Sequence, residues 1–220
     1  MFGYTFYWSV VWEKLPELIE GAKATLALTV LSMIIGTLIA LALTLLRRQE
    51  KGMGYAFATS WVEVARNTPA LFQIYMIYFG LGAIGLHFSS YVAMLLALSF
   101  NNAGYLAEIF RGGLQTIPKQ QHTAARSLGI SSFNTYTHVV FPQLFKVVYF
   151  PYVNQLNWAL LNSSLGMIIG LRELTGATQA AQSESFRTFE FFIIAALMYY
   201  LMSKIIESGA RLTFWRVFKG

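Results

Sequence analysis

Between Lys23 and Arg47 the chain carries no charged side chain, and most of the residues are Leu, Ile, Ala, Val, Met or Thr. A helix needs roughly 20 mostly apolar residues to cross the hydrocarbon core of a bilayer. Charges are costly inside that core, so a run this clean stops only where the chain leaves it, here at Arg47 and Arg48. Comparable runs follow over residues 61–82, 91–110, 147–169 and 191–206, so that with residues 24–46 five spans are predicted. The second is irregular, with Glu63, Arg66 and Pro69 in its first part. Arg66 and Pro69 are expected to break it, and freed backbone is tolerated at that depth only against protein or a cavity.

Composition agrees with the runs. Of 220 residues 56% are hydrophobic and 12% charged, about half the charge of an ordinary soluble domain. An all-α integral membrane protein follows, a single domain over residues 1–220 with no length left for a second soluble one. Cysteine is absent, which excludes disulfides and thiolate metal sites. His87, His122 and His138 are dispersed, so no metal site is expected. The net charge of +6 does not point to nucleic acid, because the basic residues stand at the ends of the apolar runs. Lipid is the expected surrounding partner.

Lys and Arg also orient the chain. Arg47, Arg48 and Lys51 follow the first run; Arg111, Lys119, Arg126 and Lys146 follow the third; Lys204, Arg211, Arg216 and Lys219 lie in or after the last. The alternate segments are poorer, with Lys14 and Lys23, then Arg172 and Arg187. The positive-inside rule therefore places the N-terminus outside and the C-terminus in the cytoplasm of a multi-pass plasma-membrane protein.

Residues 117–142 then form a cytoplasmic loop, and "PKQQHTAARSLGISSFNTYTHVVFP" has a local reading. Helix formers lead to Gly129, the residue best suited to the left-handed turn that ends a helix. Ser131 or Ser132 can cap a second short helix, which Pro142 is expected to close as the chain re-enters the membrane. Two short helices hinged at one glycine make a projecting knob, either a docking surface or a loop lying on lipid headgroups.

Polar groups inside the spans form the other informative set. Gln155 and Asn162 fall on one helical face, as do Asn162, Gly166 and Gly170. Such groups line an aqueous path or join helices, with Gly166 and Gly170 as a small-residue packing face. Asn101, Tyr105 and Glu108 make a second stripe, and Gln73 lies one turn deeper than Pro69. Gln73, Asn101, Tyr105, Gln155, Asn162 and Ser163 are the candidate substrate path. Arg66, Pro69, Glu108 and Pro142 are candidate structural or gating residues, and Glu108 is expected to pair with Arg111 or Arg66. With Glu108 the only carboxylate of the lining, a neutral polar or zwitterionic substrate is expected. No catalytic constellation appears within the spans.

The loop resembles the cytoplasmic signature of ABC importer permeases, Glu-Ala-Ala followed at fixed spacing by Gly and by Ile-x-Leu-Pro. Here it reads Thr123-Ala124-Ala125, then Gly129, then Val139, Phe141 and Pro142, with Thr123 where the family usually has Glu. "LIEGAKATLALT", "ARNTPALFQIYMIYFGLG", "YLAEIFRGGLQTIPKQQ" and "LGMIIGLRELTG" resemble further segments of the polar amino-acid branch (the histidine, glutamine and glutamate permeases), in the same order. The resemblance implies a five-helix type I permease fold with a cytoplasmic coupling helix. It further implies an identical or homologous second permease, an extracytoplasmic amino-acid-binding protein and a cytoplasmic ABC ATPase dimer. ATP and magnesium would sit on that ATPase, since this chain has no phosphate loop and no cofactor of its own. Thr123, Ala124, Ala125, Ser127, Leu128, Gly129 and Ile130 would then couple to the ATPase, the small residues allowing close approach and Leu128 and Ile130 anchoring. The alternative is a small channel or secondary transporter that uses no ATP.

Overall fold

The computed structural model describes residues 3–218, which are helical almost throughout and contain no strand. The chain opens with α1 (Trp8–Arg47), followed by α2 (Met53–Asn67) and α3 (Ala70–Tyr75). A π-helical turn over Met76–Gly80 joins α3 to the short α4 (Leu81–Ala83). Next come α5 (Ser90–Gln115), α6 (Lys119–Ser127) and α7 (Ser132–Thr135). A second π turn over Tyr136–Val140 runs into α8 (Phe141–Asn162), extended by a 3₁₀ helix over Ser163–Ile169. α9 (Leu174–Ser185) and α10 (Thr188–Phe218) complete the chain.

α1 begins well before the predicted first span. Its added turns bury Val11 and Leu18 against Leu174, Ala177 and Phe191, so α9 and α10 extend the apolar surface available to it. Farther along, Val30, Ile34, Leu38 and Leu45 stay exposed at helical spacing. In a membrane protein that stripe is the face turned to lipid. Among the described residues three helices are long and apolar enough to cross a bilayer: α1, α5 and α10. The other two predicted spans correspond to less regular helices. One is interrupted between α2 and α3, and α8 carries Lys146 and several amides.

The interruption lies at Thr68 and Pro69, both extended (ψ 144° and 137°). The ring of a proline crowds the residue before it out of the helical region, so Pro69 ends α2. Pro142 behaves differently from expectation. The second short helix does not close there: Tyr136 and Val140 keep right-handed helical dihedrals and the chain continues into α8. Proline lacks the N–H that would bond the carbonyl four residues back. The wider π turn just before it accommodates that loss without a break.

The expected α-helical stripe of Asn162, Gly166 and Gly170 is likewise not formed. From Ser163 onward the helix is 3₁₀, with three residues per turn, and Gly170 ends it at φ 76°. A Cβ on Gly166 would lie 2.7 Å from Leu171 Cδ2, so its smallness lets the chain fold back on itself.

α5 is the central helix. Ala103, Leu106 and Ala107 pack with Met33, Ala40 and Leu43 of α1, Ala58 and Val62 of α2 and Ala159 of α8. Small residues dominate because helices in lipid associate through close backbone approach. Gly104 shows the limit: a Cβ there would stand 2.5 Å from Ala65 Cβ.

Candidate functional site

The knob is built as a Schellman turn. Gly129 N–H donates to Arg126 O and Ile130 N–H to Ala125 O, both at 3.0 Å, with Gly129 at φ 75°. The Ser131 hydroxyl caps α7 by accepting Asn134 N–H at 3.3 Å. Leu128 is 80% exposed at the turn, and Ile130 is also exposed. Phe133, 74% exposed, joins them and was not singled out from the sequence. Thr123, Ala124 and Ser127 lie on the exposed side of α6, and Ser127 Oγ donates to Thr123 O at 3.1 Å. Ala125 is buried, turned away from that outer face.

Side chains tie the knob to the bundle. Gln121 and Gln143 exchange amide hydrogen bonds at 3.2 and 2.8 Å. Arg48 at the end of α1 donates to Tyr136 Oη at 2.8 Å, and His122 packs edge-on to the same ring. These side chains therefore link the loop to α1 as well as to α8.

The stripe of Asn101, Tyr105 and Glu108 does share one face, and that face meets the end of α2 and the break after it. Asn101 Nδ2 donates to Ala65 O at 3.1 Å and to Gln73 Oε1 at 3.0 Å. Gln73 Nε2 reaches Ala65 O, Thr68 O and Thr68 Oγ1 at 3.0, 3.1 and 2.9 Å. Gln73 is 6% exposed and Asn101 3%. Their amides take up carbonyls that the break at Pro69 releases from the helical ladder, which buried backbone requires. Arg66 lies over the Tyr105 ring at 5.6 Å. A second amide chain joins three helices: Gln155 Nε2 donates to Asn102 Oδ1 at 2.9 Å, and Asn102 Nδ2 to Ser32 Oγ at 3.2 Å.

Glu108 pairs with both predicted partners and with one that was not foreseen. Arg111 Nη2 is 2.6 Å from Oε2 and Arg66 Nη1 3.5 Å from it, while Arg47 at the end of α1 bonds Oε1. Asn162 Nδ2 and Ser163 Oγ turn to local carbonyls, Trp158 O at 2.9 Å and Leu160 O at 2.8 Å. Thus the candidate path residues divide: Gln73 and Asn101 hold the break, Gln155 bridges helices, and Asn162 and Ser163 cap the end of α8.

Glu173 was missed by sequence reasoning and is 0% exposed. Its carboxylate caps α9 through Gly176 N–H at 2.8 Å and accepts Tyr199 Oη at 2.6 Å and Thr25 Oγ1 at 3.3 Å. Burial pushes its pKa up, against the opposing pull of the Tyr199 hydrogen bond. Its partner Tyr199, with Thr175 hydrogen-bonded to that hydroxyl, also walls a mainly apolar groove of about 570 Å³ between the end of α8, α9 and α10, with Leu161, Phe192 and Ala195 among its other lining residues. Glu184, exposed near the N-terminal end of α1, is held below the usual carboxylate range by Lys14 Nζ at 2.7 Å.

Residues 32–217 match the family described as the binding-protein-dependent transport system inner membrane component. The chain belongs to that family, and is the membrane component of such a system rather than its ATPase. Among curated relatives, the nopaline transport system permease protein of Agrobacterium fabrum is 30% identical, covering 92% of this chain and 88% of its own. The glutamine transport system permease protein of Escherichia coli K12 is 32% identical, covering 92% and 93%. A solved structure described as an amino acid ABC transporter with histidines superposes with a TM-score of 0.89 at 32% identity, over 97% of this chain and all of that one. The fold is the ABC importer permease fold.

Proposed function

We propose that this chain is the membrane-spanning subunit of an ATP-driven importer that carries a polar amino acid into the cytoplasm. It crosses the membrane five times with its N-terminus outside, and pairs with an identical or homologous permease. An extracytoplasmic binding protein delivers substrate, and a cytoplasmic ATPase dimer, holding ATP and magnesium, supplies the work. The observation that carries this reading is the helix–Gly129–helix turn with Leu128 and Phe133 exposed at its tip. A channel or secondary transporter has no use for such a projection, whereas an apolar tip fits a groove on a motor subunit. The relatives' names support an amino acid as cargo, since they include permeases for glutamine, arginine, octopine and nopaline.

Among the described residues no buried or half-buried carboxylate is free for a cationic substrate side chain: Glu108 is held by arginines, Glu173 is enclosed by hydroxyls, and Glu190 accepts from the Tyr4 hydroxyl and the Tyr7 N–H. A neutral polar or zwitterionic amino acid fits best. The test is uptake of labelled amino acids into proteoliposomes holding this chain, its ATPase and its binding protein. Uptake should require ATP and be competed by glutamine. Equal uptake without ATP would identify a channel, and competition by arginine and lysine alone would overturn the substrate reading.

A further inference from the structure

Where the apolar run of α1 ends, the guanidinium groups of Arg47, Arg66 and Arg111 converge on the single carboxylate of Glu108. The cluster carries a surplus of two positive charges. Glu108 has little left to offer: Arg111 engages both oxygens, Nε at 3.2 and 3.3 Å and Nη2 at 2.6 Å, and Arg47 takes Oε1 as well. Arg66 reaches the carboxylate only at 3.5 Å, beyond a good hydrogen bond. Arg47 Nε is buried with no acceptor. The one carboxylate on α2, Glu63, accepts the Asn67 amide at 2.9 Å. A buried donor without an acceptor calls for a further group, a water or an ion.

Arg66 and Arg111 meet the same oxygen, Glu108 Oε2, and both side chains remain part-exposed, so each keeps donors for a further anion beside that oxygen. Planar guanidinium forks suit tetrahedral phosphate oxygens, and two forks flanking one point can hold such a group bidentately. We propose that this cluster binds a phosphate-bearing anion at the membrane surface. A diester lipid headgroup and free inorganic phosphate share that chemistry. The boundary position favours the headgroup, because basic pockets between helices at this level select anionic lipids.

Native mass spectrometry of the detergent-solubilised full chain tests this, with phosphatidylglycerol, phosphatidylcholine or inorganic phosphate titrated separately. Phosphatidylglycerol should bind in preference to phosphatidylcholine. Arg66→Gln should weaken it about fivefold, the effect of one charge at a membrane surface, and Arg66→Lys less. Lys23→Gln, an exposed cation at the other end of the apolar run, should leave it unchanged. Binding of inorganic phosphate with the same Arg66 dependence, but not of phosphatidylglycerol, would keep the site and assign it to the free anion. Equal binding of the two lipids without phosphate binding, or Arg66-independent binding of either anion, would overturn the proposal. Equal binding of the two lipids by the wild-type chain, with no binding of phosphate, overturns the proposal even if a variant folds poorly.

Discussion

Glu173 has no cation within ion-pair distance among the described residues, yet it is enclosed by α1, α9 and α10. Its oxygens are engaged by one backbone N–H and two hydroxyls, so Glu173→Gln, which retains an acceptor for Gly176, should cost little. Glu173→Ala orphans the Gly176 donor and the α9 cap and should cost about 1–3 kcal/mol, read as thermal stability in detergent. The sign of the pH effect follows from the raised value: the folded state holds the proton more tightly than the unfolded one, so stability falls as pH rises through the folded value. Glu173→Gln should flatten that slope; an unchanged slope would remove Glu173 as its source. Gln73 gives a parallel case. Gln73→Leu leaves Ala65 O and Thr68 O without this donor and should cost about 1–3 kcal/mol, whereas a residue that only lines a path would cost transport and not stability. Pro69 makes the break legible in the sequence. The partners of Glu173 are not, because Thr25 and Tyr199 are distant along the chain and a single Glu in "LRELTG" reads as a loop residue.

At the scale of elements, the helix–Gly129–helix segment was the most legible part of the chain. Gly129 at the end of a helix-forming stretch and Ser131 before the next each follow a local rule, and local rules survive into the fold. What was hidden is how the segment is held. The π turn over Tyr136–Val140 makes α7 and α8 one rod, so displacement of the knob can act along α8. The Gln121–Gln143 pair and the Arg48–Tyr136 contact bind α6 and α1 to that rod. Gln143→Leu combined with Tyr136→Phe should loosen α6 while the spans remain. Trypsin cleavage after Lys119 and Arg126 in inside-out vesicles should speed up severalfold, local opening being what a protease samples. An unchanged cleavage rate would show that these bonds do not hold the loop.

For the whole molecule, long apolar runs and their basic ends announced a helical membrane bundle, and Pro69 announced the broken second helix, but the 3₁₀ end of α8 could be seen only in three dimensions. Orientation remains a matter of charge asymmetry, and it is directly testable because the chain has no native cysteine. A membrane-impermeant thiol reagent applied to intact cells should label Phe88→Cys and leave Ser132→Cys unmodified; the reverse pattern would invert the topology.

The proposed function depends on one turn transmitting work from a motor to this bundle. Gly129 sits at φ 75° with open space where a Cβ would lie, so Gly129→Val strains the backbone without crowding a neighbour. Insertion should survive, since the spans lie outside the loop, and Thr123→Ala should be far milder. The decisive measurement is membrane abundance, ATPase retention and amino-acid uptake of Gly129→Val on the same membranes. Normal abundance with weak ATPase retention and uptake near background is the predicted result. Full ATPase retention with wild-type uptake would contradict the coupling role.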